Sequence, residues 1–425
     1  MENKKQKYSI SIFYLLFIAT VFTINKGIFA LSSISYFVII AIVIISNLKT
    51  SIALLFCLLP FQRIFLLSKS FMTLIPFFLL TIIIKYLLKG KIKKSILNSI
   101  AACFVLLIYS GIVEYIRLSS FNRTLQYVVT IIVMIIICDV IDDKLRFDCF
   151  KFYCFSAFLS GIIGYLMPKV SDYTALFSME YNARLQGLMA DPGEFGQMIV
   201  TAIAMSLALC SFLNKSKKNI CKKIYIFLTI IYDIIMFGFA ILSGTRACLI
   251  GLAVIYGYAL YYFLRTKNRK QQILGAIFFV VSIFLISSLS SFLFDIVSTA
   301  HGGEQLLDDS RLMIWSGYFK HIVSNFEIVL VGVGMDSCGA YGKTVGLGNP
   351  HNVIIEKTVE NGIVGLCLNI VIFRSLLKKK KKSLYYVENL PFYVYLSTLM
   401  VYGSSGLVLP YLLLAFLKQK DKYVN

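Results

Sequence analysis

Apolar runs of 17 to 25 residues recur along the chain, at 8–24, 27–46, 51–68, 71–88, 95–116, 124–141, 149–167, 195–213, 224–242, 247–264, 273–292 and 353–377. As a helix, each is long enough to cross a hydrocarbon core of roughly 30 Å. A tail over 390–417 is interrupted by Gly403-Ser404-Ser405-Gly406 and Pro410, so it predicts one long bent helix or a hairpin of two short ones. The pattern predicts an all-α fold, a polytopic membrane helical bundle of about 12 (12–14) transmembrane helices forming one integral membrane domain over 1–425. The first run, Tyr8 to Ile24, lacks a small-residue cleavage site, which favours an uncleaved span over a signal peptide.

Composition agrees. With 58% hydrophobic and 15% charged residues, the 425-residue chain is too apolar for a soluble globular protein. Its formal charge of +21 raises nucleic acid as a partner, but the basic residues cluster in connectors between apolar runs, where they orient helices instead. The connectors at 47–50, 85–94, 142–151, 214–223, 265–270 and 374–382, with the termini 1–7 and 418–422, hold 30 of the 42 Lys and Arg. The positive-inside bias puts these connectors and both termini in the cytoplasm. The loop 168–194, the tight turn at 242–247 and the long loop 293–352 then face outward. The cytoplasmic loops are short, and neither G-x-x-x-x-G-K-[ST] nor a dinucleotide fingerprint is present. Chemistry on this chain therefore needs a substrate already activated, on the outer side. The ten cysteines show no C-x-x-C spacing, and Cys338 is the one in the long loop; neither a disulfide nor a metal site is expected.

That long loop gathers the scarce polar chemistry. It holds all three histidines (His301, His321, His351), the single tryptophan Trp315, the run Asp308-Asp309-Ser310-Arg311, and Gly332-Val333-Gly334-Met335-Asp336. Leu312, Trp315, Phe319, Ile322, Val323 and Phe326 share one face of an amphipathic helix expected over 311–326, capped by Ser310 or Asp309. Such a helix suits the membrane interface, with Trp315 among the headgroups and Arg311 at its end as a candidate anion ligand. His351 follows Asn349-Pro350, an N-cap and first-turn pair, so it is expected at the mouth of the next helix. With an ordinary pKa near ~6.5 it suits a general base, although a plain surface histidine fits the same place.

The other candidates lie nearer the middle of the chain. Asp191, Pro192 and Glu194 read as the cap, first position and capping-box partner of the span at 195–213. Arg184, just upstream, fits headgroup snorkelling and substrate contact equally. Arg246, in Ser243-Gly-Thr-Arg-Ala247, opens a helix, where the macrodipole disfavours a cation unless an anion joins it. Lipid headgroups or a bound diphosphate would both meet that need. Among the intramembrane carboxylates Glu114, Asp139 and Asp233, the mid-span Asp233 is the one a transporter would use.

Five pieces, Ser243-Gly-Thr-Arg-Ala247, Ser310-Arg-Leu-Met-Ile-Trp315, Val331-Gly-Val-Gly334, His351-Asn352 and Asn361-Gly-Ile-Val-Gly365, occur in a telling order. Together they resemble the ligase-type domain of the O-antigen ligase and polymerase superfamily, over roughly 190–375, and Arg184, Gly187 and Asp191-Pro192 resemble the segment before it. The resemblance implies a metal-independent glycosyltransferase with no cofactor, in the bacterial cytoplasmic (inner) membrane. Its donor and acceptor would be undecaprenyl-diphosphate-linked oligosaccharides. By the same resemblance Arg246 and Arg311 would hold the donor diphosphate, with Arg184 a weaker addition, and His351 would help activate the acceptor hydroxyl. The implied partners are membrane lipid and a chain-length regulator protein, not nucleic acid. The divergent, Ile/Phe/Lys-rich character points to a polysaccharide polymerase, for O-antigen or capsule. A ligase moving glycan onto lipid A core shares the motifs, and a transporter or flippase of lipid-linked sugar is the reading from another class.

Overall fold

A computed structural model describes residues 2–28, 30–61, 63–65, 74–90, 92–117, 121–174, 184–189, 191–214, 219–265, 269, 273, 310–377, 386–402 and 408–417. Most of the expected span at 273–292, His301, Asp308, Asp309, the middle of the 168–194 loop, Gly403 to Gly406 and the Lys418/Lys420/Lys422 cluster lie outside the described residues. Every regular element among the described residues is a helix. In order they are α1 (Glu2–Asn25), α2 (Ala30–Ile45), α3 (Leu48–Leu58), α4 (Ile75–Leu87), α5 (Lys94–Arg117), α6 (Phe121–Val140), α7 (Asp143–Leu166) and α8 (Pro168–Thr174). Then come α9 (Pro192–Asn214), α10 (Asn219–Ser243), α11 (Arg246–Arg265), α12 (Ser310–Ser324), α13 (Phe326–Val331), α14 (Cys338–Thr344), α15 (Val353–Leu377), α16 (Leu390–Tyr402) and α17 (Leu409–Ala415).

Five stretches, Gln6–Asn25, Ile96–Arg117, Asp143–Leu166, Pro192–Phe212 and Lys223–Ser243, are long and apolar enough to cross a membrane. Their outward faces are greasy: Leu15, Phe22, Ile108, Tyr115, Phe227 and Ile234 all stand exposed. Apolar surface of that extent belongs against lipid, and the chain is a multi-pass helical membrane protein. The shorter apolar helices depart from the expected pattern of full spans. α3 with the 3-10 turn Leu59–Phe61 is buried along nearly its whole length, so residues 51–61 of the expected span 51–68 are core rather than lipid face. Hydropathy does not separate these two fates, since both reward the same side chains.

The connectors gather at one end of the bundle. Gln6 donates to Asp148 (3.1 Å), Lys49 pairs with Asp142, and Lys93 pairs with Asp139. Lys85 donates to the Val43 and Ser46 carbonyls and to Ser51 Oγ, closing the end of α2 with a cation where its orphan carbonyls need donors. Asn47 and Asp142 cap α3 and α7 by accepting from Thr50 N and Leu145 N, at 2.8 and 2.7 Å. The tail is a hairpin. The buried Arg146, at this connector end, donates to the Phe416 carbonyl (3.0 Å) and feels the charge of Glu388, whereas Tyr402 reaches Asp191 at the opposite end. The chain therefore climbs through α16 and returns through α17.

α15 carries an interruption: Gly362 has φ 58° and ψ −176°, so the helix breaks there. The freed carbonyls of Val359 and Glu360 accept from Val333 N (2.9 Å) and Gly334 N (3.0 Å). A Cβ on Gly332 would lie 2.4 Å from the Glu360 carbonyl oxygen, and one on Gly362 2.4 Å from that of Leu330. The Val331-Gly-Val-Gly334 and Asn361-Gly-Ile-Val-Gly365 strings are thus two backbones in contact, and glycine is what lets them meet.

Candidate functional site

The site end is built around the first turn of α9. Asp191 Oδ1 accepts from Gly193 N (2.7 Å) and Glu194 N (3.1 Å), the capping expected from the sequence. Asp191 also accepts from Tyr402 Oη, which anchors the last residue of α16 over that turn. The fit is tight: a Cβ on Gly193 would lie 1.9 Å from the Tyr402 ring.

Three consecutive carbonyls at the end of α16 then collect side chains from the long loop. Met400 O accepts from Asn352 Nδ2 (3.1 Å), Val401 O from Arg311 Nη1 (3.0 Å), and Tyr402 O faces His351 Nδ1 (3.1 Å). A helix C-terminus presents unsatisfied carbonyls and the negative end of the macrodipole, so a guanidinium and two N–H donors suit it. Because a carbonyl can only accept, Nδ1 must carry the imidazole proton, which leaves the Nε2 lone pair for another partner. Burial pushes the His351 pKa below its usual 6.5; the Tyr402 carbonyl and Asp191 oppose that and Arg311 adds to it. A neutral imidazole with a free Nε2 is the form a general base needs.

His351 itself has φ 47°, a left-handed conformation uncommon outside glycine. The local geometry corrects the expectation for this segment. Asn352, not Asn349, caps α15, accepting from Ile354 N (3.0 Å) and Ile355 N (3.2 Å). Asn349 Oδ1 instead accepts from His351 N (3.3 Å), and Trp315 Nε1 donates to Pro350 O at 2.6 Å. His351 is therefore clamped before the helix rather than carried in its first turn.

α12 also divides differently from its helical wheel. Ile314, Trp315, Tyr318 and Ile322 pack toward a small core with Ile328, Val333, Cys338, Ile355 and Val359. Leu312, Phe319 and Val323, with Phe326 at the start of α13, are exposed. Arg311 and Trp315 reach the site from this helix, while His321 takes no part in it beyond offering its carbonyl to Asn325.

Arg184 and Arg246 approach from the other flank of α9. Arg184 Nε donates to Ser243 O (3.0 Å), and Leu185 N to Leu242 O (2.9 Å), fastening the segment before α9 to the α10–α11 turn. Gly244 makes that turn with φ 58°, and Arg246 is the first residue of α11 and half-buried. A Cβ on Gly196 would strike Thr245, Cys248 and Ser243. One turn of α9 thus separates the pair Arg184 and Arg246 from the group His351, Arg311 and Tyr402.

Sequence reasoning missed Tyr402 and Asn352 as site residues, and it missed Lys357 and Glu360. The last two form a part-buried pair (2.7 Å) inside the expected span 353–377, where their i,i+3 spacing was the available signal. Asp233, the residue a transporter reading selects, accepts from Ser206 Oγ between α10 and α9.

Residues 231–370 match the family described as O-Antigen ligase. Over those residues the chain is similar to the O-antigen ligase domain. That domain supports membership of the O-antigen ligase and polymerase superfamily, whose members are glycosyltransferase-like enzymes acting on lipid-linked glycans. It contains Arg246, Arg311 and His351 but ends short of Arg184, Asp191 and Tyr402, which the fold brings to it from outside the matched segment. No curated protein and no solved structure matches the chain.

Proposed function

We propose that this protein is a polysaccharide polymerase, for O-antigen or capsule. It transfers a glycan from undecaprenyl diphosphate onto a lipid-linked repeat unit at the outer face of the bacterial cytoplasmic membrane, with both termini in the cytoplasm. The observation that carries the reading is His351, its Nδ1 proton fixed on the Tyr402 carbonyl and its ring beside Arg311. In the proposed step the acceptor hydroxyl oxygen attacks the anomeric carbon while its proton passes to His351 Nε2. The anomeric C–O bond breaks, and its electron pair leaves on the lipid diphosphate. Arg311 and Arg246, with Arg184 behind the α10–α11 turn, are the cations assigned to that diphosphate; fixed guanidiniums there favour the leaving group without a metal.

The family's own description, O-Antigen ligase, favours a second reading in which the acceptor is lipid A core. Two experiments divide these. Arg311→Ala or His351→Ala, normally inserted, should abolish the chain-length ladder of the surface glycan; a full ladder contradicts the catalytic assignment. In a deletion strain, a polymerase defect leaves single lipid-linked repeat units, whereas a ligase defect leaves unattached lipid-linked polymer. A transporter would instead need Asp233, so activity surviving in Asp233→Asn argues against that class.

A further inference from the structure

Gln197 lies on α9 four residues beyond Gly193, one turn deeper on the face that packs against α16. Above it the Tyr402 ring rests on Gly193. Below it, a Cβ on Gly251 of α11 would touch both Val200 of α9 and Thr398 of α16, so the three helices close together there. Gln197 is 1% exposed, yet neither Nε2 nor Oε1 has a hydrogen-bond partner among the described residues. A buried carboxamide with donor and acceptor both idle is costly, and folds seldom retain one without a use.

We propose that Gln197 is a glycan-recognising residue, taking a pair of sugar hydroxyls beneath the His351 site. This rests on the transferase reading given above. The chemistry selects the ligand: a carboxamide needs a partner that both accepts and donates, and two neighbouring hydroxyls supply that. A diphosphate oxygen would satisfy Nε2 while opposing Oε1, so the amide belongs to the sugar and not to the anion. The Tyr402 ring stays on Gly193, between the amide and the His351 clamp, so Gln197 meets the glycan away from the reacting atoms.

The test is Gln197→Leu in the full-length protein in lipid vesicles. Its substrate is lipid-linked oligosaccharide extracted from cells lacking the protein, and the readouts are thermal midpoint, kcat and KM. Removing an unsatisfied amide for an apolar side chain of similar size should raise the midpoint, since nothing in the ligand-free fold is lost. At the same time KM should rise about tenfold, the equivalent of one good hydrogen bond to substrate. A raised midpoint with unchanged KM and kcat overturns the inference, because the amide would then be a packing fault without a task. A lowered midpoint with a matching loss of rate also overturns it, by assigning Gln197 a structural partner. Should Leu not insert, Gln197→Met offers an unbranched replacement with the same two outcomes. His351→Asn run in parallel keeps the two claims apart: if it too is fully active, the transferase site itself is wrong, and if it alone is dead, only the role of Gln197 fails.

Discussion

Replacing Gly193 with alanine tests whether the end of α16 is part of the working site. The new Cβ would lie 1.9 Å from one Tyr402 ring carbon and 2.5 and 2.7 Å from two others. Ordinary carbon contacts sit near ~3.5 Å, so the ring must retreat by about 1.5 Å. Overpacking of this kind costs about 1–3 kcal/mol, and alanine returns up to ~1 kcal/mol of helix propensity, leaving a net loss of only about 0–2 kcal/mol. Function should suffer far more. Tyr402 supplies the carbonyl that orients His351, and its neighbour Val401 the one that holds Arg311. Displacing a reacting group by ~1 Å can cost about 10²-fold in rate. We expect Gly193→Ala to reach the membrane at near-normal levels, to lose a few degrees of thermal midpoint in detergent, and to make glycan about a hundredfold more slowly. Gly257→Ala on α11, where nothing lies within 4 Å of the new methyl, is the matched control and should keep wild-type turnover with a midpoint unchanged or slightly raised. Wild-type turnover by Gly193→Ala would refute the claim that the α16 terminus positions His351 and Arg311.

Three further outcomes follow from the same geometry. Gly362→Ala combines a φ of 58°, worth about 1–2 kcal/mol for a side chain, with a 2.4 Å approach to the Leu330 carbonyl, so the thermal midpoint should fall by clearly more than in Gly193→Ala. Trp315→Phe removes the 2.6 Å bond to Pro350 O and should lower stability by about 1 kcal/mol and, by loosening the clamp on His351, reduce kcat more than it raises KM. The pH–rate profile should show a single acid limb centred below pH 6.5, because burial and Arg311 hold His351 below its usual value and the neutral ring is the base. The stability sign agrees: the folded state binds this proton less readily than the unfolded chain, so stability is complete above the unfolded value and declines as pH falls through it. An acid limb centred above pH 6.5 would contradict the assignment.

The helical, membrane-spanning character was legible in the sequence because long apolar runs have few other uses. What hydropathy could not distinguish was lipid face from core. α3 reads as a span and is buried along nearly its whole length, whereas α10 reads the same and is largely exposed. The capping role of Asp191 was legible from its place before Pro192, since capping is local chemistry. The role of Tyr402 was not. It depends on a hairpin that returns 211 residues away to the same aspartate, and no local pattern marks that contact. His351 was singled out for its residue type, yet its clamp by Trp315, Asn349 and Tyr402 required the fold. The glycine strings around 332 and 362 signalled importance correctly, and their reason proves to be close backbone contact.

The account turns on His351 as the base, and His351→Asn addresses it most directly. Asparagine tolerates the left-handed backbone at φ 47° and keeps an N–H for the Tyr402 carbonyl, but it cannot take a proton at neutral pH. In vesicles supplied with the lipid-linked oligosaccharide, release of undecaprenyl diphosphate should be rapid from the wild type. It should be near background from the variant, with thermal midpoint unchanged. Equal release from both proteins would contradict the account.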